Sequence, residues 1–351
     1  MTPRFVDTPP LVLRFTGTPA EAGFVYGKTI RAWLAHNLDD YLNRVCATNR
    51  ITREHLSAHA SRWAATCLPD HFAEQLHAMG EGARIPTQRM AEFIDADSAS
   101  GTTMLCSGIA LTHRDGAWVG RNADWLAAIL SRGTCAYIHG IRGRIPCMGL
   151  GVVGDFDIDT GVNAERLWVH VHTLLANDEP SGRKPVIDWL FFAREALETC
   201  TDIDHVETLL NYYERNRGMI LHVTDGKTNK SAIFECTRTT HERTDRDEQT
   251  LLGTNHLLGK HPPAAREAKS STGSTVARLR CLRAAMQQGD DAHPRERIAR
   301  ALGDPGVELS RTPRLQTIYS AICRPGAGDV WFAAGPRAAS RQPWRRVPWP
   351  W

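Results

Sequence analysis

The chain has 351 residues, 42% of them hydrophobic and 23% charged, which is enough apolar material to close a large core as one domain or two. Its 42 Lys and Arg against 39 Asp and Glu leave a formal charge of +3 with no long basic run, which argues against nucleic acid as a partner. No stretch approaches the roughly 20 apolar residues of a membrane span, and the first residues, broken by Pro9, Pro10 and Arg14, lack an export signal, so a cytoplasmic protein with no membrane partner is expected.

Residues 17–45 open on a Gly/Pro turn and carry Ile30, Trp33, Leu34, Leu38, Tyr41, Leu42 and Val45, the three-and-four spacing of a buried helix face. A second apolar series, Phe72, Leu76 and Met79, runs into Gly80, Gly82 and Pro86, which stop a helix, and Met90 to Ile94 resumes one. At about residue 101 the texture changes. From Thr103 onward come short β-prone runs, GIALTH, RDG and AWVG, then ERLWVHVHTL and MILHVTDGKTNKSAIFEC, which predict two antiparallel ladders. Residues 186–214 between them predict a helical pair interrupted at Thr201 and Asp202. A further helix fits 274–287, and TIYSAICRP with DVWFAAG predicts a closing hairpin. The tail, RQPWRRVPWPW, is proline-broken and is expected to be a loosely held terminus. This order predicts a layered α+β domain with sheet packed on sheet. The nine cysteines form no CxxC pair and read as reduced thiols, neither a disulfide framework nor a zinc site.

Cys106 stands where the helical first third ends and the first strand begins. With Asp115 and Gly116 as the hairpin's turn residues, residue 125 falls opposite Cys106 and GRNADW returns alongside it. Arg121 then shares the cysteine's face, and Asp124 points the other way unless the strand bends. A thiol needs a base or a lowered pKa to act as a nucleophile. If the Leu105–Cys106 bond is cut, the new α-amino group, with an ordinary pKa of about 8, lies on the nucleophile's own residue and can take its proton. Asp124 would anchor that amine and Arg121 would favour the thiolate.

The segments GTPAEAGFVYG, LHAMGEGARIP, CS followed by GRNADW, GVNAE, VTDG with AIFE, GTNH and STVARLRCL occur in one order along nearly the whole chain. In this it resembles the autoproteolytic N-terminal-nucleophile cysteine acyltransferases typified by isopenicillin N acyltransferase, and more distantly penicillin V acylase and bile salt hydrolase. The resemblance implies a four-layer αββα sandwich (the Ntn-hydrolase fold). It also implies a helical pro-segment, residues 1–105, cut from a catalytic segment, residues 106–351, both parts of one domain. It makes Cys106 the released nucleophile, Asp124 the aspartate that assists processing and catalysis, and Arg121 a lining of the thiolate. Asn255 becomes the amide donor to the oxyanion, Arg278 with Ser274 the late pair of the active centre, and Asn163 a segment whose backbone completes the oxyanion hole. Two positions depart from the family pattern. Leu105 stands before the nucleophile where the fungal enzyme has glycine, and Arg166 stands where a small residue is usual, which suggests a different pocket wall.

The function expected is therefore a self-cleaving cysteine amidohydrolase or acyltransferase, a zymogen acting through a Cys106 thioester. Its partners would be its own cleaved pro-segment and a small amide, acyl-amino-acid or peptide-like acyl donor. No cofactor is expected. His170 and His172 alternate on one strand face at a spacing that suits a metal, but no HExxH, CxxC or carboxylate-rich motif accompanies them, and no metal is expected. A metal-dependent hydrolase on that pair, or a non-catalytic binding protein of the same fold, are the rivals. His256 reads as a packing or supporting residue rather than a base, and Asn122 as a residue that caps or holds the turn.

Overall fold

The Thr-Pro-Ala-Glu run near the start closes a capping box: the Thr18 hydroxyl accepts from the Glu21 N–H and the Glu21 carboxylate accepts from the Thr18 N–H. In this computed structural model, which describes residues 2–99, 105–245, 250–259, 272–288, 292–309, 315–335 and 339–351, helix α1 then runs over Pro19–Asn49. It buries Ile30, Leu34, Leu38, Tyr41, Leu42 and Val45, the predicted face. Helix α2 (Arg53–Thr66) buries only Leu56, Ala60 and Trp63, too thin a stripe to stand out in the sequence. Helices α3 (Asp70–Ala83) and α4 (Thr87–Ala99) follow the two predicted apolar series, with Pro86 between them.

The glycines of the two N-terminal motifs let α1 and α3 touch backbone to backbone. A Cβ on Gly27 would lie 1.9 Å from the Met79 carbonyl oxygen, and one on Gly82 would lie 2.1 Å from that of Phe24. These motif positions serve packing, not chemistry.

The seam expected near residue 101 lies outside the described residues; the first hairpin strand begins at Leu105. One sheet has seven strands, in spatial order β1 (Phe5–Val6), β17 (Trp344–Val347), β16 (Asp329–Ala334), β15 (Leu315–Arg324), β4 (Gly116–Leu126), β3 (Leu105–His113) and β14 (Thr250–Gly253). The other has eight: β13 (His241–Thr244), β12 (Lys230–Cys236), β11 (Gly218–Asp225), β8 (Leu167–Leu174), β7 (Thr160–Asn163), β6 (Cys147–Val152), β5 (Thr134–Ile141) and β2 (Val12–Gly17). A short parallel pair, β9 (Val186–Ile187) with β10 (Glu214–Arg215), stands apart.

Helices α7 (Thr272–Gln287) and α8 (Pro294–Leu302) cover the outer face of the seven-stranded sheet, where Leu282 and Ile298 pack on Ile109, Leu111 and Trp118. Helices α5 (Trp189–Thr199) and α6 (Ile203–Tyr212) are the predicted pair, divided at the Asp202 N-cap, and lie against β7, β8 and β11 of the other sheet. The sheets face one another between these helices, which makes the α+β four-layer αββα sandwich. The first third of the chain is more than a helical segment: β1 pairs in parallel with β17 and β2 with β5, so it adds an edge strand to each sheet.

One expectation is corrected. The tail is held: β17 pairs with β16, Trp344 and Val347 are buried, and Trp349 stacks under the Arg166 guanidinium at 4.3 Å. Arg166 itself sits in the β7–β8 turn at φ 65°, where a small or flexible residue is usual. Its side chain covers the C-terminal segment.

Gly27→Ala should destabilise the fold by about 1–3 kcal/mol, the usual cost of overpacking. Denaturant titration checks this, and an unchanged midpoint would contradict the close α1–α3 contact.

Candidate active site

The β3–β4 hairpin turns at Arg114 and Asp115, one residue earlier than expected, because Gly116 already pairs with His113. The Asp115 carboxylate is held there by the Trp118 indole N–H (3.1 Å) and by Arg324 (3.1 Å). Ala123, not residue 125, therefore lies opposite Cys106. A shift of two leaves the faces as predicted: Cys106 and Arg121 look toward the second sheet, Asp124 toward the helices.

On the inter-sheet face the Arg121 guanidinium is fully buried and donates to the Cys106 Sγ at 3.3 Å. Asp159, from the β6–β7 connection, balances its charge at 3.0 Å and accepts from the Tyr319 hydroxyl at 2.5 Å. Thr160 bonds both Arg121 and Tyr319. Burial alone would lower the pKa of Arg121, but the adjacent Asp159 outweighs it and the group stays charged. Burial pushes the Cys106 thiol up, and Arg121 opposes that rise.

On the helix face the Arg278 guanidinium, from α7, donates to the Cys106 carbonyl (2.6 Å), the Ser107 hydroxyl (3.0 Å) and the Asn255 Oδ1 (2.7 Å). Asn255 Oδ1 also accepts from the Cys106 N–H at 2.8 Å. Two donors fix that atom as the oxygen, so Nδ2 points away and donates to the Thr173 carbonyl at 2.9 Å. Asp124 accepts from the Thr317 hydroxyl at 2.6 Å and lies 3.7 Å from Arg278. Burial pushes its carboxyl up to about 6, against the pull of Arg278 and the Thr317 bond.

A bulge at Ile318 in β15 makes both faces possible. Thr317 pairs with Asp124 and Tyr319 with Ala123, so residues two apart, which ordinarily share a face, serve opposite ones.

The structure thus brings Cys106, Arg121, Asp124, Asn255 and Arg278 together, with Leu105 at the start of β3, opposite Asp124. It does not bring Asn163. That side chain donates to the Leu197 and Cys200 carbonyls and accepts from the Leu167 N–H, closing the end of α5 on the far side of the second sheet. Ser274 is exposed on the first turn of α7. Its neighbour Thr275 is the buried one, accepting from the Asn255 N–H at 2.7 Å and bonding Thr254 and His256. Thr275 lies three residues before Arg278, and that helical spacing was the available signal. The amide N–H of Cys106 donates to Asn255, while the Asp124 carboxylate is held by Thr317 and lies near Arg278. His256 supports Thr275, and Asn122 holds the Leu302 carbonyl at the end of α8 rather than the turn. A cavity of about 60 Å³ is lined by Ala123, the cross-strand partner of Cys106, with Trp125, Phe156, Asp159 and Tyr319, and Ile94 of α4 as another wall.

Tyr319→Phe should cost about 1–3 kcal/mol of stability, since it leaves Asp159 and Thr160 short of a buried partner. Denaturation of the variant tests it, and a loss below a few tenths would show that the network does not hold Arg121.

A model of the family described as acyl-coenzyme A:6-aminopenicillanic acid acyl-transferase matches residues 111–339, well over half of the chain. No curated protein matches. Among solved structures, a variant of the conjugated bile acid hydrolase of Clostridium perfringens is similar at 15% identity and a TM-score of 0.48, over 65% of this chain and 89% of that one. A penicillin V acylase of Agrobacterium tumefaciens gives 12% and 0.45, over 66% and 83%. The Caenorhabditis elegans ortholog of N-acylethanolamine-hydrolyzing acid amidase gives 16% and 0.44, over 69% and 100%. On the family match, this chain belongs to the acyl-coenzyme A:6-aminopenicillanic acid acyl-transferase family.

Proposed function

We propose that the chain is a precursor that breaks its own Leu105–Cys106 bond and then uses Cys106 as an N-terminal nucleophile on a small amide, acyl-amino-acid or peptide-like substrate. The observation that carries this reading is the joint hold on one residue: Arg121 on the sulfur of Cys106, Asn255 on its nitrogen and Arg278 on its carbonyl.

Self-cleavage begins when the Cys106 sulfur attacks the Leu105 carbonyl carbon and the acyl group passes from nitrogen to sulfur. Water then hydrolyses that thioester, leaving a carboxylate on Leu105 and a free amine and thiol on Cys106. The amine stays beside Asn255 Oδ1, near enough to its own sulfur to take and return a proton. Turnover follows the same course. The thiolate attacks the substrate carbonyl, the leaving amine takes a proton from the Cys106 ammonium, and water or a second amine resolves the thioester as hydrolysis or acyl transfer. Arg121 favours the thiolate. The oxyanion role that the resemblance implies for Asn255 requires its Nδ2 to leave the Thr173 carbonyl. The cavity lined by Ala123, the cross-strand partner of Cys106, is where the acyl group would lie.

Intact mass of the purified protein tests the first step: residues 1–105 and 106–351 should appear as two fragments, and Cys106→Ala should stay whole. The fragments should co-elute, since each sheet contains a strand from the first. An acyl donor should add its mass to the larger fragment, while a whole, unlabelled wild-type chain would favour the binding-protein rival. The pH dependence has a definite sign. Asp124 ionises as pH rises through about 6, and only the ionised form attracts Arg278, so processing should accelerate across that range. Asp124→Asn should flatten the profile; an inflection that persists near 6 would assign it to another group.

A further inference from the structure

Three histidines that take no part in this chemistry lie stacked between the sheets. His170 and His172 of β8 are joined by His222 of β11, which lies directly opposite His170 in the ladder. The ring centroids are 4.4–5.2 Å apart with interplanar angles of 19–27°. All three are buried, and burial first, then the neighbouring rings and the Arg121 charge, holds His170 and His172 well below the ordinary histidine range. Burial and Arg121 bring His222 to about 3. The rings are neutral, the form that binds metals.

The opposing sheet leaves room for them. Gly108 of β3 and Gly253 of β14 are partners in register. A Cβ on Gly108 would lie 2.5 Å from His170 Nε2 and 2.8 Å from His172 Nε2, and one on Gly253 would lie 2.4 Å from His222 Nε2. All three Nε2 atoms therefore face the space left by two missing side chains. One nitrogen from each ring lies within 4.8 Å of the others, a spacing that small ring rotations would close to the roughly 3.4 Å between ligands of a tetrahedral ion. None of these Nε2 atoms has a hydrogen-bond partner among the described residues, nor does His222 Nδ1.

The outer contacts set the rings. His172 Nδ1 donates to the Thr254 carbonyl at 2.7 Å, which leaves its Nε2 lone pair free. His170 Nδ1 accepts from the Trp168 indole N–H at 2.8 Å, so its proton resides on Nε2. An ion binding there needs the other neutral tautomer: the proton moves from Nε2 to Nδ1 and the ring gives up the indole bond. The other cluster of metal-ligand side chains, His71 with Glu195 and Glu198, is already engaged by Arg144 and Arg194.

We propose that His170, His172 and His222 bind one divalent transition ion of the Zn²⁺ type through Nε2, seated over the Gly108–Gly253 pair and joining β8 to β11. Three imidazoles with a fourth position facing β3 suit zinc, cobalt or copper and are poor hosts for magnesium or calcium. Gly253 also lines a cavity of about 660 Å³. The ion is a structural element lodged behind the nucleophile and takes no part in the thioester chemistry.

The test uses the full chain, purified from zinc-supplemented culture and also refolded with and without Zn²⁺ or Co²⁺. Expected are one equivalent of zinc, tetrahedral ligand-field bands with cobalt, and a melting temperature about 5 °C or more above the metal-free protein. X-ray absorption at the zinc edge of the wild-type chain should show three imidazole nitrogens at about 2.0–2.1 Å, and needs no variant. His222→Gln should lose the ion and His71→Ala should keep it. A wild-type chain that holds no stoichiometric ion and gains no thermal stability from zinc overturns the proposal, as does His222→Gln binding metal like wild type. These readouts are independent of whether Cys106 forms a thioester.

Discussion

A guanidinium sealed between two sheets must be paired, because an isolated charge there costs several kcal/mol. Arg121 meets that constraint with Asp159, Thr160 and Tyr319, and its Nη2 also donates to the Cys106 sulfur. Arg121 and Tyr319 belong to one sheet, while Asp159 and Thr160 come from the edge of a strand in the other. The pairing therefore fixes how the sheets lie on each other as well as what the sulfur meets. Removing any one partner would leave a buried charge or hydroxyl unanswered, so stability and reactivity draw on the same bonds.

Cys106 is gripped from two sides of its own strand. Its side chain belongs to the space between the sheets, while its backbone nitrogen and carbonyl are held by Asn255 and Arg278 from the helix side. Burial makes each hold strong and also raises the cysteine and aspartate toward their neutral forms. The charged arginines oppose that drift at both places, which is why two of them stand within reach of one residue.

Much of this could be read from the chain because its signals are local. The capping box at Thr18, the break at Asp202 and the apolar faces of α1 and α5 are written within a few residues of where they act. The hairpin placed GRNADW beside Cys106, and an error of two in register left every face correct because strand geometry repeats at two. What the chain did not announce depends on distant partners. Asn163 and Ser274 sit in segments of the right kind but turn their side chains to α5 and to solvent, and Thr275 gains its place only once α7 is packed. The tail looked loose because its prolines break any periodicity, yet Arg166, more than 180 residues earlier, supplies the surface it rests on. His222 joins His170 and His172 only through the β8–β11 ladder.

The bulge in β15 gives one position a value unrelated to its side chain. Ile318 contributes little that another apolar residue could not, but the count it adds to the strand assigns Thr317 to the aspartate and Tyr319 to the arginine. Another apolar residue of like size there would keep both sets of bonds, whereas deleting the position would sever one of them. Length, at this point in the strand, constrains the site more tightly than identity does.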